Sequence, residues 1–90
     1  MKRIKVIYAK LGRSKAWGQA HSDGLVEIDI RAKGKKRLEL IIHECLHLLY
    51  PDATEEEIIS KSIALTKTLW HENYRQIDND SSIPLQNSSK

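Results

Sequence analysis

The segment His43–His47 constrains this chain most, because it places two histidines four residues apart with Glu44 directly after the first. The surrounding residues are mostly apolar and predict an α-helix, on which positions four apart lie on one face. Two imidazoles at this spacing can bind one Zn²⁺, and the glutamate can reach a water on it. Incidental histidines in a buried helix are the alternative, but buried polar groups cost free energy unless they have partners. We therefore predict a zinc site at His43 and His47.

Three segments before this motif have the composition and alternation of β-strands. They are residues 3–8, 16–21 and 25–30. The turn signal Ser22–Gly24 separates the last two segments and predicts a β-hairpin.

Two helices are predicted after the strands. The first should run from about Lys35 to Leu49, because Pro51 disfavours helical backbone at the residue before it. The second should begin at Thr54–Glu57, which matches a capping box, and its apolar periodicity continues to about Tyr74. The short link between them predicts an antiparallel pair.

The expected fold class is α+β, with a small, about three-stranded and mostly antiparallel sheet packed on two antiparallel helices. Residues 1–76 would form one domain, and residues 77–90 an extended or disordered tail, because their composition turns to Asp, Asn, Ser and Gln. A bound metal would add stability to such a small core.

A third metal ligand is needed, because a catalytic zinc usually has three protein ligands and one water, whereas a structural site takes all four from the protein. The remaining side chains considered as ligands are His21, Cys45, Glu55, Glu56, Glu57 and His71. Cys45 lies two residues from each motif histidine and so faces elsewhere on the helix, which assigns it to the core.

The acids that begin the second helix are the stronger candidates for this ligand. Glu57 is explained by the capping box without a metal. Glu55 is nearest the centre of the apolar stripe of this helix, so we choose Glu55, with Glu56 as the alternative. Capping and the helix dipole also explain acids in a first turn, and that interpretation stays open for either residue.

Cysteine content and hydropathy bear on the compartment. The single cysteine excludes an internal disulfide and is typical of a reducing compartment. Lys2 and Arg3 precede only a short alternating run instead of the apolar stretch of a signal peptide, and no segment has the length of a membrane span. We expect a cytoplasmic protein with no membrane partner.

Charge is distributed unevenly. Residues 1–37 contain eleven Lys and Arg against three Asp and Glu, whereas residues 38–90 contain four against nine. Five of these cations lie in the segment Arg31–Arg37, which can contact nucleic-acid phosphates. A solvated loop leading into a helix explains the same residues, and we favour it because the segment has no interleaved aromatic side chains.

The order of these elements resembles the zincin metallopeptidases and, within them, the gluzincin branch. More closely, the chain resembles the very small metallopeptidases found in bacterial and phage genomes, over roughly residues 1–76. The segments that carry the resemblance are Trp17–Gly18, Val26–Asp29, Lys33–Lys36, His43–His47, Tyr50–Asp52, Leu69–Trp70 and Tyr74–Arg75.

The resemblance implies a zinc-dependent peptidase in which Glu44 acts as the general base and the substrate lies extended along the strand Trp17–Ala20. Larger gluzincins place the third ligand further downstream, with a small residue three positions after it. Glu57 meets the second condition through Ser60 and Glu55 does not, which keeps the choice of ligand open.

The expected partner is a peptide or protein substrate, held weakly by so small a domain and presented by a partner protein or by the basic segment. The rival class is a non-catalytic, zinc-stabilised interaction module, with nucleic acid bound through residues 31–37 as a further alternative. A structural zinc site needs no glutamate beside its histidines, so the presence of Glu44 favours chemistry.

Overall fold

A computed structural model describes residues 3–12 and 16–77. Its elements are β1 (Lys5–Ala9), β2 (Gly18–Ala20), β3 (Leu25–Asp29), α1 (Gly34–Leu49) and α2 (Glu55–His71). The predicted α+β class, with three strands followed by two helices, is confirmed. The predicted tail lies outside the described residues except for Ile77.

The sheet has the order β1-β3-β2, with β3 in the centre. The predicted hairpin is present, and β2 pairs antiparallel to β3 with Gly18 opposite Ile28. β1 pairs parallel to β3 with Val6 opposite Val26, so the sheet is mixed rather than mostly antiparallel. The alternation of apolar and polar residues does not distinguish a parallel from an antiparallel neighbouring strand. The sequence therefore indicated the strand but not its pairing.

The core lies between the sheet and α1. Val26 and Ile28 of β3 are completely buried and point to the same side of the sheet. Leu40, Ile41 and Cys45 pack against this cluster, which confirms the assignment of Cys45 to the core. Burial of side chains of this size contributes about 1.5–3 kcal/mol each, so α1 is fixed to the sheet along the turns that carry His43 and His47.

α2 packs along α1 and begins at the predicted capping box. The Thr54 hydroxyl accepts a hydrogen bond from the Glu57 amide at 3.1 Å, and the Glu57 carboxylate accepts one from the Thr54 amide at 2.9 Å. The hydrogen bonds that the Glu57 carboxylate accepts from the Thr54 amide and, at 3.2 Å, from the Thr54 hydroxyl lower the pKa of Glu57, with a smaller contribution from Lys61. Among the described residues no helix is long and apolar enough to cross a membrane.

The end of α2 comes three residues earlier than its apolar periodicity predicted. Asn73 adopts a left-handed backbone conformation with φ 69°. Its amide donates to the carbonyl of Trp70, and the amide of Tyr74 donates to the carbonyl of Leu69, both at 3.0 Å. This is the Schellman pattern of helix termination, which side-chain periodicity does not reveal.

Candidate metal centre

Three side chains converge where α1 ends and α2 begins. The Nε2 atoms of His43 and His47 lie 3.1 Å apart on successive turns of α1. The carboxylate of Glu55, the first residue of α2, approaches them with one oxygen 2.9 Å from Nε2 of His47 and the other 3.3 Å from Nε2 of His43. Each residue offers a ligating atom, all within 4.8 Å of one another, and the three are close enough to bind a metal ion.

The donor set fits zinc in both chemistry and spacing. Two imidazoles and one carboxylate form a common catalytic set for this ion. Bonds of about 2.0–2.1 Å in tetrahedral geometry place neighbouring ligand atoms about 3.3–3.4 Å apart. The observed separations of 2.9, 3.1 and 3.3 Å, of which the first and last involve different oxygens of Glu55, are close to this spacing.

The turn between the helices determines which acid reaches the histidines. The amide of Ala53 donates to the carbonyl of Tyr50 at 3.0 Å and closes the link. The capping box then holds the carboxylate of Glu57 on Thr54, as the sequence indicated. Of the three acids left open, Glu55 joins the cluster, and Glu56 and Glu57 do not.

The cluster is open to solvent on one side. The side chains of His43, His47 and Glu55 are 18%, 34% and 61% exposed. Within residues 3–12 and 16–77, no fourth histidine, cysteine or acid belongs to the group. This arrangement leaves a face through which a water or a substrate could approach a bound ion.

Glu44 lies beside the cluster but does not join it. Its side chain is buried, and burial raises the pKa of its carboxyl group, although His43 and His47 act in the opposite direction. No described residue donates a hydrogen bond to this carboxylate or forms a salt bridge with it. A buried carboxylate without such a partner costs free energy. A contribution to stability therefore does not explain the presence of Glu44.

The close approach of Gly18 to Glu44 is the feature of this site that the sequence interpretation missed, although it placed Gly18 in the strand Trp17–Ala20. A Cβ atom at Gly18 would lie 3.2 Å from Cγ and 3.3 Å from an Oε atom of Glu44. The missing side chain thus lets β2 pass directly against the carboxylate. A lone glycine in a strand often marks such a close approach, and this signal was available at Gly18.

The other histidines considered as ligands do not join the group. His21 contacts the Glu27 carboxylate at 2.7 Å, and Gln19 donates to the same oxygen at 2.8 Å. These two hydrogen bonds, that from His21 first, lower the pKa of Glu27. His71 lies at the opposite end of α2 from Glu55.

Comparisons with protein-family models, with curated proteins and with solved structures gave no match. The geometry of the cluster itself is therefore the basis for assigning a function to this chain.

Proposed function

We propose that the protein is a zinc-dependent metallopeptidase of the small gluzincin-like type. The observation that carries this proposal is the convergence of His43, His47 and Glu55 beside Glu44, a buried carboxylate with no hydrogen-bonding or ion-pair partner among the described residues. Three ligands and a neighbouring base are what metal-assisted hydrolysis of an amide requires.

His43, His47 and Glu55 would hold the ion, which when bound supplies an acidified water and polarises the scissile carbonyl. Glu44 would accept the proton of the attacking water and deliver it to the leaving amine. Burial raises the pKa of its carboxyl group, which makes the carboxylate a stronger base for that proton. Glu44 would lie within reach of this water because it is on the same helix, α1, as His43 and His47.

β2 would bind the substrate through its main chain. It is an edge strand of the described sheet, and only every second residue of β2 forms main-chain hydrogen bonds with β3. The carbonyl of Trp17 and the amide of His21 form hydrogen bonds with β3, so the backbone groups of Gly18 and Ala20 point away from it. An extended peptide paired with those groups would pass over Glu44, which Gly18 contacts closely.

The rival function, a zinc-stabilised interaction module without chemistry, has less support. A structural zinc takes four protein ligands, and the described residues supply three. Such a module also gives no reason to bury the carboxylate of Glu44 at this position.

The substitution Glu44→Gln tests the proposal. Glutamine keeps the shape of the side chain but cannot accept the proton, so peptide hydrolysis should fall by at least about a hundredfold. Zinc content, measured by elemental analysis, and melting temperature should stay close to those of the unsubstituted chain. Loss of zinc in this variant would make Glu44 a ligand or structural acid and would overturn its role as base.

A further inference from the structure

A second concave site lies at the other end of the helix pair. A cavity of about 750 Å³ opens between the first turns of α1, the end of α2 and β1. Its volume is within the usual range for small-molecule sites, roughly 300–1,000 Å³. We call it the basic cleft, and the lining residues that matter here are Tyr8, Lys33, Arg37, Trp70, Tyr74 and Arg75.

Two arginines of the basic cleft lie on aromatic rings. The guanidinium of Arg37 is 4.2 Å from the ring centre of Tyr8, and that of Arg75 is 3.5 Å from the ring centre of Trp70. Neutral groups orient both cations. Arg37 donates to the Ala32 carbonyl at 2.8 Å, and Arg75 donates to the Trp70 carbonyl at 2.8 Å.

The cations of the basic cleft lack carboxylate partners in the part of the chain that the structure describes. Among the described residues, no acid forms a salt bridge with Lys33, Arg37 or Arg75. The first turn of α1 also contains no acid, and no side chain caps its amides. The positive end of this helix dipole adds to the attraction for an anion beside Lys33.

A further aromatic residue outside the cavity also has cations on its ring. Trp17, which is 41% exposed, has the guanidinium of Arg31 4.4 Å and the ammonium of Lys36 5.6 Å from its ring centre. Arg31 also binds the buried carboxylate of Asp29. Lys36 has no salt-bridge partner among the described residues. The segment Arg31–Arg37 thus supplies cations both to the basic cleft and to Trp17.

We propose that the basic cleft and Trp17 together bind single-stranded nucleic acid. Unpaired bases stack on aromatic rings and on guanidinium planes, whereas phosphates bind lysine, arginine and helix amides. The fold brings to the basic segment the aromatic residues that the linear sequence lacks there. A duplex hides its base faces from such rings. A free nucleotide would occupy the cavity and leave Trp17 without a role.

Fluorescence anisotropy with the full chain and a labelled oligothymidylate of about 12 nucleotides tests this site. An oligouridylate of the same length, a duplex of the same length and AMP as competitor complete the set of ligands. The single strands should bind most tightly, and their affinity should decrease as salt increases, because each phosphate contact releases counterions.

Two charge reversals locate the site. Lys33→Glu lies in the basic cleft, and Lys61→Glu makes the same change of charge on α2 outside it. The first should weaken binding at least about tenfold and lower the slope of the salt dependence by about one or more, and the second should weaken it by about twofold at most.

Two exposed tyrosines give a matched aromatic comparison. Tyr74 in the basic cleft is 65% exposed, and Tyr50 near the metal end is 57% exposed. Tyr74→Ala should weaken binding by about fivefold or more, because stacking on one aromatic ring is lost, and Tyr50→Ala should not. The chain has two tryptophans, so Trp17→Phe leaves Trp70 as the reporter, and its fluorescence should be quenched by the oligonucleotide.

Several results would overturn the proposal. These are no binding of either single strand, tighter binding of the duplex, or equal losses in Lys33→Glu and Lys61→Glu. AMP that competes as well as the oligonucleotide would make the site one for free nucleotides. Zinc content measured on the same variants should not change, so failure here is distinguishable from failure of the peptidase proposal.

Discussion

The two ends of the helix pair have opposite chemistry. At the metal end, two imidazoles and one carboxylate bring ligating atoms within 4.8 Å of one another beside another carboxylate. At the other end, the guanidinium groups of Arg37 and Arg75 lie on aromatic rings, and neither forms a salt bridge with a described carboxylate. The first end is arranged for a cation and the second for an anion. One small fold thus separates the proposed chemistry from the proposed recognition.

The two ends of the helix pair should differ most in their response to a substitution that removes a metal ligand. His47→Ala should lose stoichiometric zinc, because the two remaining ligands cannot hold the ion with comparable affinity. Zinc at about a hundred times its dissociation constant should stabilise the unsubstituted chain by about 2.7 kcal/mol and the variant hardly at all. Elemental analysis and thermal melting with and without Zn²⁺ measure both effects.

His71→Ala is the matched control for that substitution, since His71 lies on α2 outside the cluster. It should keep its zinc and its response to added Zn²⁺. Equal loss of metal in both histidine variants would mean that the ion is not bound at the metal end.

The next largest expected effect comes from a substitution in β2, the strand that lies against Glu44. Gly18→Ala brings a methyl group within 3.2–3.3 Å of the Glu44 side chain and 3.3 Å of Cδ1 of Ile28, so one of these side chains or β2 must shift by a few tenths of an ångström. A displacement of this size near the reacting atoms should lower kcat/KM about tenfold or more. Zinc content should not change, because Gly18 contacts the base and not a ligand.

Gly12→Ala is the control for the same chemical change at a roomier position. The nearest atom to a Cβ there is 3.9 Å away, on Arg31. An equal loss of activity in both glycine variants would show that backbone stiffness, rather than contact with Glu44, is responsible.

The sequence indicated the metal end far better than the basic cleft. His43 and His47 are one helical turn apart, so helix geometry alone brings them together. Glu55 required only a short link and a capping box, both of which have sequence signals. The basic cleft joins Tyr8, Arg37 and Arg75, whose proximity depends on packing that no local pattern encodes.

The same contrast holds within the fold. Strand positions, the β2–β3 hairpin and both helix starts were predicted because alternation, turn residues and caps are local signals. The parallel pairing of β1 with β3 and the left-handed Asn73 were not, since the first depends on the path of the whole chain and the second on main-chain conformation.

The smallest expected effect tests whether the cap of α2 supports the metal end. Thr54→Ala removes the hydroxyl that accepts from the Glu57 amide and should cost about 1 kcal/mol of unfolding free energy. Zinc affinity should decrease modestly, because Glu55 lies in the turn that this cap orders. Urea unfolding and zinc titration measure the two quantities.

Thr68→Ala provides the comparison, since the Thr68 hydroxyl donates to the Ala64 carbonyl on an exposed part of α2 far from the cap. It should change stability by less than Thr54→Ala and leave zinc affinity unaltered. If both threonine variants bound zinc as tightly as the unsubstituted chain, the cap would not position Glu55.

The most direct test of the central claim is a crystal structure of the zinc-loaded protein, read for the ligands of the ion. The account predicts coordination by His43, His47 and Glu55, with a remaining position taken by water within hydrogen-bonding distance of the Glu44 carboxylate. A fourth protein ligand that closes the site, or zinc bound without Glu55, would contradict it.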